Sequence, residues 1–191
     1  VLTSKLLTFA KGGMPLKETG SINQIIKESA EFTLTGSNCT CSFSLMENLP
    51  EISFDKSLIS QTIQNLVLNA IQSMPAGGKI SIASESCFIY LPNELDLPEG
   101  KYITISISDQ GCGISEEHLS HIYDPYFSTK DSATGLGLTI SYSIVQKHSG
   151  TISVKSETGK GSTFTIFLPL IEEKNLAQKS KGVKMEYNTK N

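Results

Sequence analysis

Three groups of residues in this 191-residue chain have the types and spacing needed for chemistry. Asn65 and Asn69 lie four residues apart, which on a helix sets them about 40° apart around the axis, with Gln61 and Ser73 extending the same stripe. Asparagine is a mediocre helix former, so such a pair offers amide oxygens to a hard cation or else forms part of a solvated face. Asp109-Gln110-Gly111-Cys112-Gly113 directly follows the apolar alternation Ile103, Ile105, Ile107. Alternate glycines let the backbone approach a ligand, and a carboxylate at a strand end can accept from an exocyclic amine; a plain turn uses the same residues. That acceptor favours adenine over guanine, which presents a carbonyl oxygen where adenine has its amine. Ser132-Ala133-Thr134-Gly135-Leu136-Gly137-Leu138 runs from small residues into a helix pattern, where free N–H groups make an anion site suited to phosphates. Lys130 can add a positive charge there; a flexible linker is the competing reading.

Each group depends on the element that carries it. Asp55 to Met74 reads as a helix with the apolar stripe Ile59, Ile63, Leu66, Val67, Ala70, Ile71 and Met74. Ser21 to Thr33 reads as a second helix capped by Ser21, and Gly137 to His148 as a third, closed by Gly150 at its C-terminal glycine position. A short helix over Ser115 to Ile122 begins on a capping serine and an acidic turn. Strand patterns occupy 40–45, 79–83 and 102–108, with an exposed loop over 91–100. Thr151 to Ser156 and Ser162 to Pro169 form a hairpin around Glu157-Thr158-Gly159-Lys160-Gly161.

With 38% hydrophobic and 18% charged residues, the chain suits one compact domain with short extensions. Sixteen basic against nineteen acidic residues, a net charge of −3, leave no electrostatic footprint for nucleic acid or an anionic membrane. Cys39, Cys41, Cys87 and Cys112 lack zinc spacing and read as buried or half-buried free thiols of a reducing cytosol. No run approaches the roughly 20 apolar residues that cross a bilayer, so a cytoplasmic location is expected, with any membrane anchor of a parent protein lying elsewhere.

The order of these motifs is more specific than any one of them. Asn65-Leu66-Val67-Leu68-Asn69-Ala70 resembles the N box of sensor histidine kinases, and Asp109 to Ile114 their G1 box. Asp124-Pro125-Tyr126-Phe127-Ser128-Thr129-Lys130 resembles their F box and Thr134-Gly135-Leu136-Gly137-Leu138 their G2 box. The resemblance covers about Ser21 to Pro169. It implies an α+β fold, a two-layer α/β sandwich of the Bergerat type with a mixed, mostly antiparallel sheet and three main helices on one face. Gyrase, mismatch-repair ATPases and certain heat-shock chaperones share that fold.

The resemblance further implies that the domain binds ATP and Mg²⁺. Asn69 would hold the metal, with Asn65 contacting metal or phosphate. Asp109 would take the adenine amine, Gly111, Gly113 and Ile114 would flank the base, and Thr163 would support Asp109 from the next strand. Thr129, Lys130, Gly135, Leu136, Gly137 and Leu138 would surround the phosphates, Ser128 to Leu136 forming a lid. Asn65 and Lys130 would be the catalytic groups of phosphoryl transfer, and Tyr123, Tyr126 and Phe127 are read as packing groups that anchor the lid.

Two departures stand out. Ala133 replaces an additional glycine common before the G2 box, and no phosphorylatable H-box histidine is found, since His118, His121 and His148 lie elsewhere and are read as surface or packing residues. Leu6 to Lys11 resembles the last turns of a dimerisation helix. The implied division is therefore 1–14 as the end of that helix, 15–171 as the catalytic domain, and 172–191 as a flexible linker or tail. The partners implied are an upstream histidine-containing dimerisation domain and a response regulator receiver domain, in a homodimeric parent protein. A superfamily ATPase without histidine transfer and a nucleotide-sensing module are the alternatives.

Overall fold

In the computed structural model, which describes residues 14–130 and 133–170, a five-stranded mixed sheet has the order β2-β4-β5-β7-β6. Its strands are β2 (Cys39–Leu45), β4 (Gly78–Ile89), β5 (Gly100–Ser108), β6 (Thr151–Glu157) and β7 (Gly161–Pro169). Only β2 and β4 run parallel. The helices α1 (Ile22–Leu34), α2 (Lys56–Ser73) and α4 (Gly137–Lys147) cover one face, while α3 (Glu116–Leu119) is a single turn beyond the end of β5. The readings of 1–13, Ser132 and 171–191 fall outside the described residues. No helix among the described residues is long and apolar enough to cross a membrane.

Alternation explains why there are two layers. Ile80 and Ile82 on β4, Ile103, Ile105 and Ile107 on β5, and Phe164, Ile166 and Leu168 on β7 all face the helices and are buried. Between them stand hydroxyls on the opposite face. Ser42 pairs with Ser81 at 3.2 Å, Ser108 with Thr163 at 2.8 Å and Ser106 with Thr165 at 3.1 Å. A face of paired hydroxyls contributes little to burial and stays in water. The helices bury Ile59, Ile63, Leu66 and Val67 of α2 against the strands, each apolar side chain contributing about 1.5–3 kcal/mol.

Several expectations shift. The strand read at 79–83 continues to Ile89, because the polar run Ser84-Glu85-Ser86 masked its second half. A two-stranded sheet of β1 (Glu18–Gly20) and β3 (Ile52–Phe54) was not read, three residues being too few to show a period. Ser21 and Ser115 hold the cap positions of α1 and α3 without capping through their side chains, and α3 ends at Leu119 instead of Ile122. After α4 the left-handed residue is Ser149, at φ 60°, and not Gly150. Gly150 is small for another reason: a Cβ there would overlap the Phe167 carbonyl oxygen. The thiols are free as expected, although Cys112 is exposed; burial, with Glu31 nearby, pushes the Cys41 thiol up to about 11.

At the far end from the nucleotide motifs, Asp55 joins three segments. Its Oδ1 accepts from Ser57 and Leu58 N–H at 3.0 and 3.1 Å, capping α2, and its Oδ2 accepts from Leu16 N–H at 2.9 Å. Its own N–H donates to His148 Nε2 at 3.0 Å, while His148 Nδ1 lies 2.8 Å from the Ile144 carbonyl. This pattern requires a neutral ring that donates from Nδ1 and accepts at Nε2. Burial holds the His148 pKa below its ordinary 6.5, aided by Lys17, against the opposing Ile144 bond and Asp55 charge. For Asp55, burial alone would raise the carboxyl, but the bonds from Ser57, Leu58 and Leu16 outweigh it and leave it below 3.8.

The two groups titrate in separate windows. His148 is neutral in the fold and protonates more readily in the unfolded chain, so its stabilisation is full above 6.5 and declines as pH falls below that value. The Asp55 contribution is present above 3.8 and is lost only as pH falls through it. Melting measured from about pH 7.5 down to about pH 5 should show the midpoint falling, and His148→Gln, which keeps an acceptor but cannot be protonated, should flatten that slope. An equal slope in the variant would remove His148 as its source.

Candidate nucleotide site

One cleft opens between the C-terminal half of α2, the end of β5 and the start of α4. Every site residue read from the sequence lines it except Gly111 and Thr163. α2 presents Asn65 and Asn69 because its opposite stripe is committed to the core. The Asn65 Nδ2 donates to the Gly137 carbonyl and to Ser141 Oγ, both at 3.2 Å, which ties α2 to the first turns of α4 and leaves its Oδ1 as acceptor. Among the described residues no side chain caps α4, which leaves its first N–H groups and the N-terminal end of its dipole facing the cleft.

Asp109 is the residue after β5 and is 9% exposed. Its N–H donates to Ser162 O at 2.9 Å, and its Oδ1 accepts from the Gly111 N–H at 2.8 Å and lies 3.0 Å from Ser73 Oγ. Burying a carboxylate requires such donors. The glycines of this turn serve packing more than ligand entry: a Cβ at Gly111 would overlap Ser73 Oγ, and one at Gly113, whose φ is 70°, would overlap the Glu157 carbonyl oxygen. Gly111 therefore lies behind the cleft wall, not in it. Thr163 does not support Asp109 either. It sits on the outer face, bonded to Ser108, since alternation turns Ser162 and Phe164 inward instead.

The segment between the two glycine motifs closes the cleft. Tyr126 N–H donates to Gly135 O at 3.0 Å, so 126 and 135 form a neck, with Tyr126 at φ 67°. Thr129 and Lys130 lie on the cleft side of this loop. The Lys130 ammonium reaches Gln72 Oε1 at 3.4 Å and Asn69 O at 3.5 Å. Burial lowers its pKa, while neighbouring Cys112 and Asp109 push it back up.

Sequence reasoning missed an apolar wall made by Leu68, His118, Ile122 and Phe127. Phe127 packs edge-on against His118, ring centroids 5.5 Å apart, so it is a packing residue and a lining residue at once. Leu68 offered a signal, being an apolar side chain between the two asparagines and 44% exposed. Tyr123 is a packing group, its ring 4.8 Å from Tyr142 and its hydroxyl donating to Ile152 O at 3.1 Å, but Tyr126, read as one too, is 70% exposed because the neck turns its side chain outward. His121 pairs with Asp124 at 2.8 Å on the surface.

Comparison with known proteins agrees with this geometry. A family model describing histidine kinase-, DNA gyrase B- and HSP90-like ATPases matches residues 54–172, more than half the chain. Sensor histidine kinase ZraS of Escherichia coli K12 is 38% identical over 173 residues, which is 88% of this chain and 34% of that protein. Sporulation kinase E of Bacillus subtilis is 30% identical over 172 residues, covering 88% of this chain and 22% of its own length. The chain thus spans about a third or less of these relatives. Among solved structures, the nucleotide-free catalytic domain of histidine kinase ThkA superposes with a TM-score of 0.65 at 29% identity, over 80% of this chain and 95% of that one. These matches show that the chain belongs to the histidine kinase-, DNA gyrase B- and HSP90-like ATPase family, and within it the chain corresponds to the ATP-binding catalytic domain of sensor histidine kinases.

Proposed function

We propose that this domain positions Mg-ATP for transfer of its γ-phosphoryl group to a histidine on an upstream dimerisation domain. The observation that carries the proposal is the polarity of the cleft: a buried carboxylate acceptor, Asp109, at one end and the uncapped start of α4 beside Asn65 at the other. That separation suits a molecule with an amine-bearing base and an anionic tail. An acceptor outside the described residues is supported by the contacts of the three histidines within them: His148 has both ring nitrogens engaged, His118 packs on Phe127 and His121 pairs with Asp124.

The residues divide the work. Asp109 accepts from the adenine amine, and Gly113, Ile114 and Leu138 flank the base. The N–H groups of Gly137 and Leu138 take phosphate oxygens, with Gly135 and Leu136 shaping the entry. Asn69 and Asn65 supply neutral amide oxygens, a donor set that fits Mg²⁺, which takes one or two protein ligands and completes its shell with water and phosphate. Bound there, the metal would neutralise charge on the phosphate oxygens. Lys130 exchanges Gln72 and Asn69 O for phosphate as the loop carrying Thr129 closes, and together with Asn65 stabilises the transferring group. Catalysis by such a site is mainly positioning and charge stabilisation.

We assign residues 1–14 to the end of the dimerisation helix, 15–171 to this domain and 172–191 to a linker or tail, in a homodimeric parent whose phosphohistidine serves a response regulator. The domain is placed in the cytoplasm. On its cleft side α2 offers Gln61, Asn65, Asn69 and Gln72 and no carboxylate that could serve as a base for water, which favours transfer over hydrolysis.

Two measurements test this. Asp109→Asn should weaken ATP binding about tenfold or more while the melting temperature holds, because it loses a charged acceptor and not core volume. Unchanged affinity would exclude Asp109 from the site. Incubated with labelled ATP, Mg²⁺ and the dimerisation domain of its parent protein, the chain should place acid-labile, base-stable label on that partner, and Asn69→Ala should abolish it. Phosphate release with no transfer would contradict the proposal.

A further inference from the structure

We propose that Ser73 is a positioning residue for base recognition: its hydroxyl holds the Asp109 carboxylate in the one orientation that presents a single oxygen to the cleft. The proposal rests on the assignment of Asp109 as the base acceptor.

Ser73 occupies the last turn of α2 and touches the Asp109 turn in three ways. Its hydroxyl lies 3.0 Å from Asp109 Oδ1, its carbonyl accepts from Cys112 N–H at 3.2 Å, and its side chain fills the space that a Cβ at Gly111 would take. The hydroxyl has one proton and two acceptors in reach, Asp109 Oδ1 and the Ala70 carbonyl at 2.8 Å. The ionised acceptor is the stronger partner. The Gly111 N–H bonds to the same Oδ1 at 2.8 Å, so both protein donors meet one oxygen. Among the described residues none donates to Oδ2, which remains as the acceptor for an exocyclic amine.

Without the hydroxyl, Gly111 alone restrains the carboxylate, which can then rotate about χ2 and present its oxygens in more than one direction. The loss falls on the hydrogen bond to the base amine and not on the phosphates, which are held more than one helix turn away by α4 and Asn65. Selectivity for a 6-amino group is therefore the property that Ser73 controls, and a nucleotide lacking that group is indifferent to it.

The test compares binding of ATP with that of the triphosphate of purine riboside, which has the same sugar and phosphates but no 6-amino group. It uses the whole 191-residue chain and its Ser73→Ala, Ser73→Cys and Asp109→Asn variants. Ser73→Ala is expected to weaken ATP about fivefold while leaving the purine riboside nucleotide unchanged, so the preference between them shrinks. Ser73→Cys, which keeps the volume and loses the strong donor, should do the same. Equal losses for both nucleotides, or no loss for either, would show that Ser73 only packs the turn and would overturn the proposal. Asp109→Asn separates the two ideas: if it abolishes the preference and the Ser73 variants do not touch it, Ser73 fails alone; if it leaves the preference intact, the Asp109 assignment fails and this proposal with it.

Discussion

A buried carboxylate must be met by donors or it will not stay buried, and the placement of Asp109 at the end of a central strand imposes that demand on everything around it. The turn after β5 folds back so that the Gly111 N–H reaches the carboxylate, and α2 must end where Ser73 can meet it. Gly111 can carry no side chain because Ser73 stands there, and the Cys112 N–H ties the turn to the helix end. The cleft is the space left by this junction, bounded on one side by the asparagine stripe of α2 and on another by α4. Asn65 completes the frame by bonding across to Gly137 and Ser141.

The opposite end of α2 is fixed just as firmly by different chemistry. Asp55 caps the helix, holds the chain at Leu16 and meets His148 at the end of α4. α2 and α4 are thus pinned to each other at both ends, by Asn65 near the cleft and by the Asp55–His148 contact away from it. The chain at Leu16 is linked to α4 through two hydrogen bonds by way of Asp55, and α4 is the helix whose start lines the cleft. The 126–135 neck, closed by the Tyr126 N–H on the Gly135 carbonyl, joins this frame through Lys130, whose ammonium reaches Asn69 O and Gln72 on α2.

What could be read from the sequence was what periodicity and motif order encode. The α2 stripe from Ile59 to Ala70, the alternation of Ile103, Ile105 and Ile107, and the order of the four boxes lead to the two-layer sandwich and to the polar and glycine-rich part of the cleft, but not to its apolar wall. Contacts between distant segments were not encoded locally. Nothing around Glu18 or Ile52 marks them as strands, since their pairing is set by where α1 and α2 lie. The resemblance implies that Thr163 supports Asp109, yet only the register reveals that its side chain pairs with Ser108 on the wet side. Gly111 and Gly150 look like conformational glycines and are small instead because of Ser73 and Phe167.

The central claim is that one cleft, framed by Asp109, the asparagine stripe and the start of α4, takes the nucleotide. Backbone amide shifts in an NMR titration with Mg²⁺ and a non-hydrolysable ATP analogue report on every part of the chain at once. The account predicts the largest changes at Gly111 to Ile114 and at Gly135 to Leu138, together with the side-chain amides of Asn65 and Asn69, and none along the outer hydroxyl row of Ser42, Ser106 and Thr165. Changes centred on that outer face, with Gly135 to Leu138 unmoved, would contradict it.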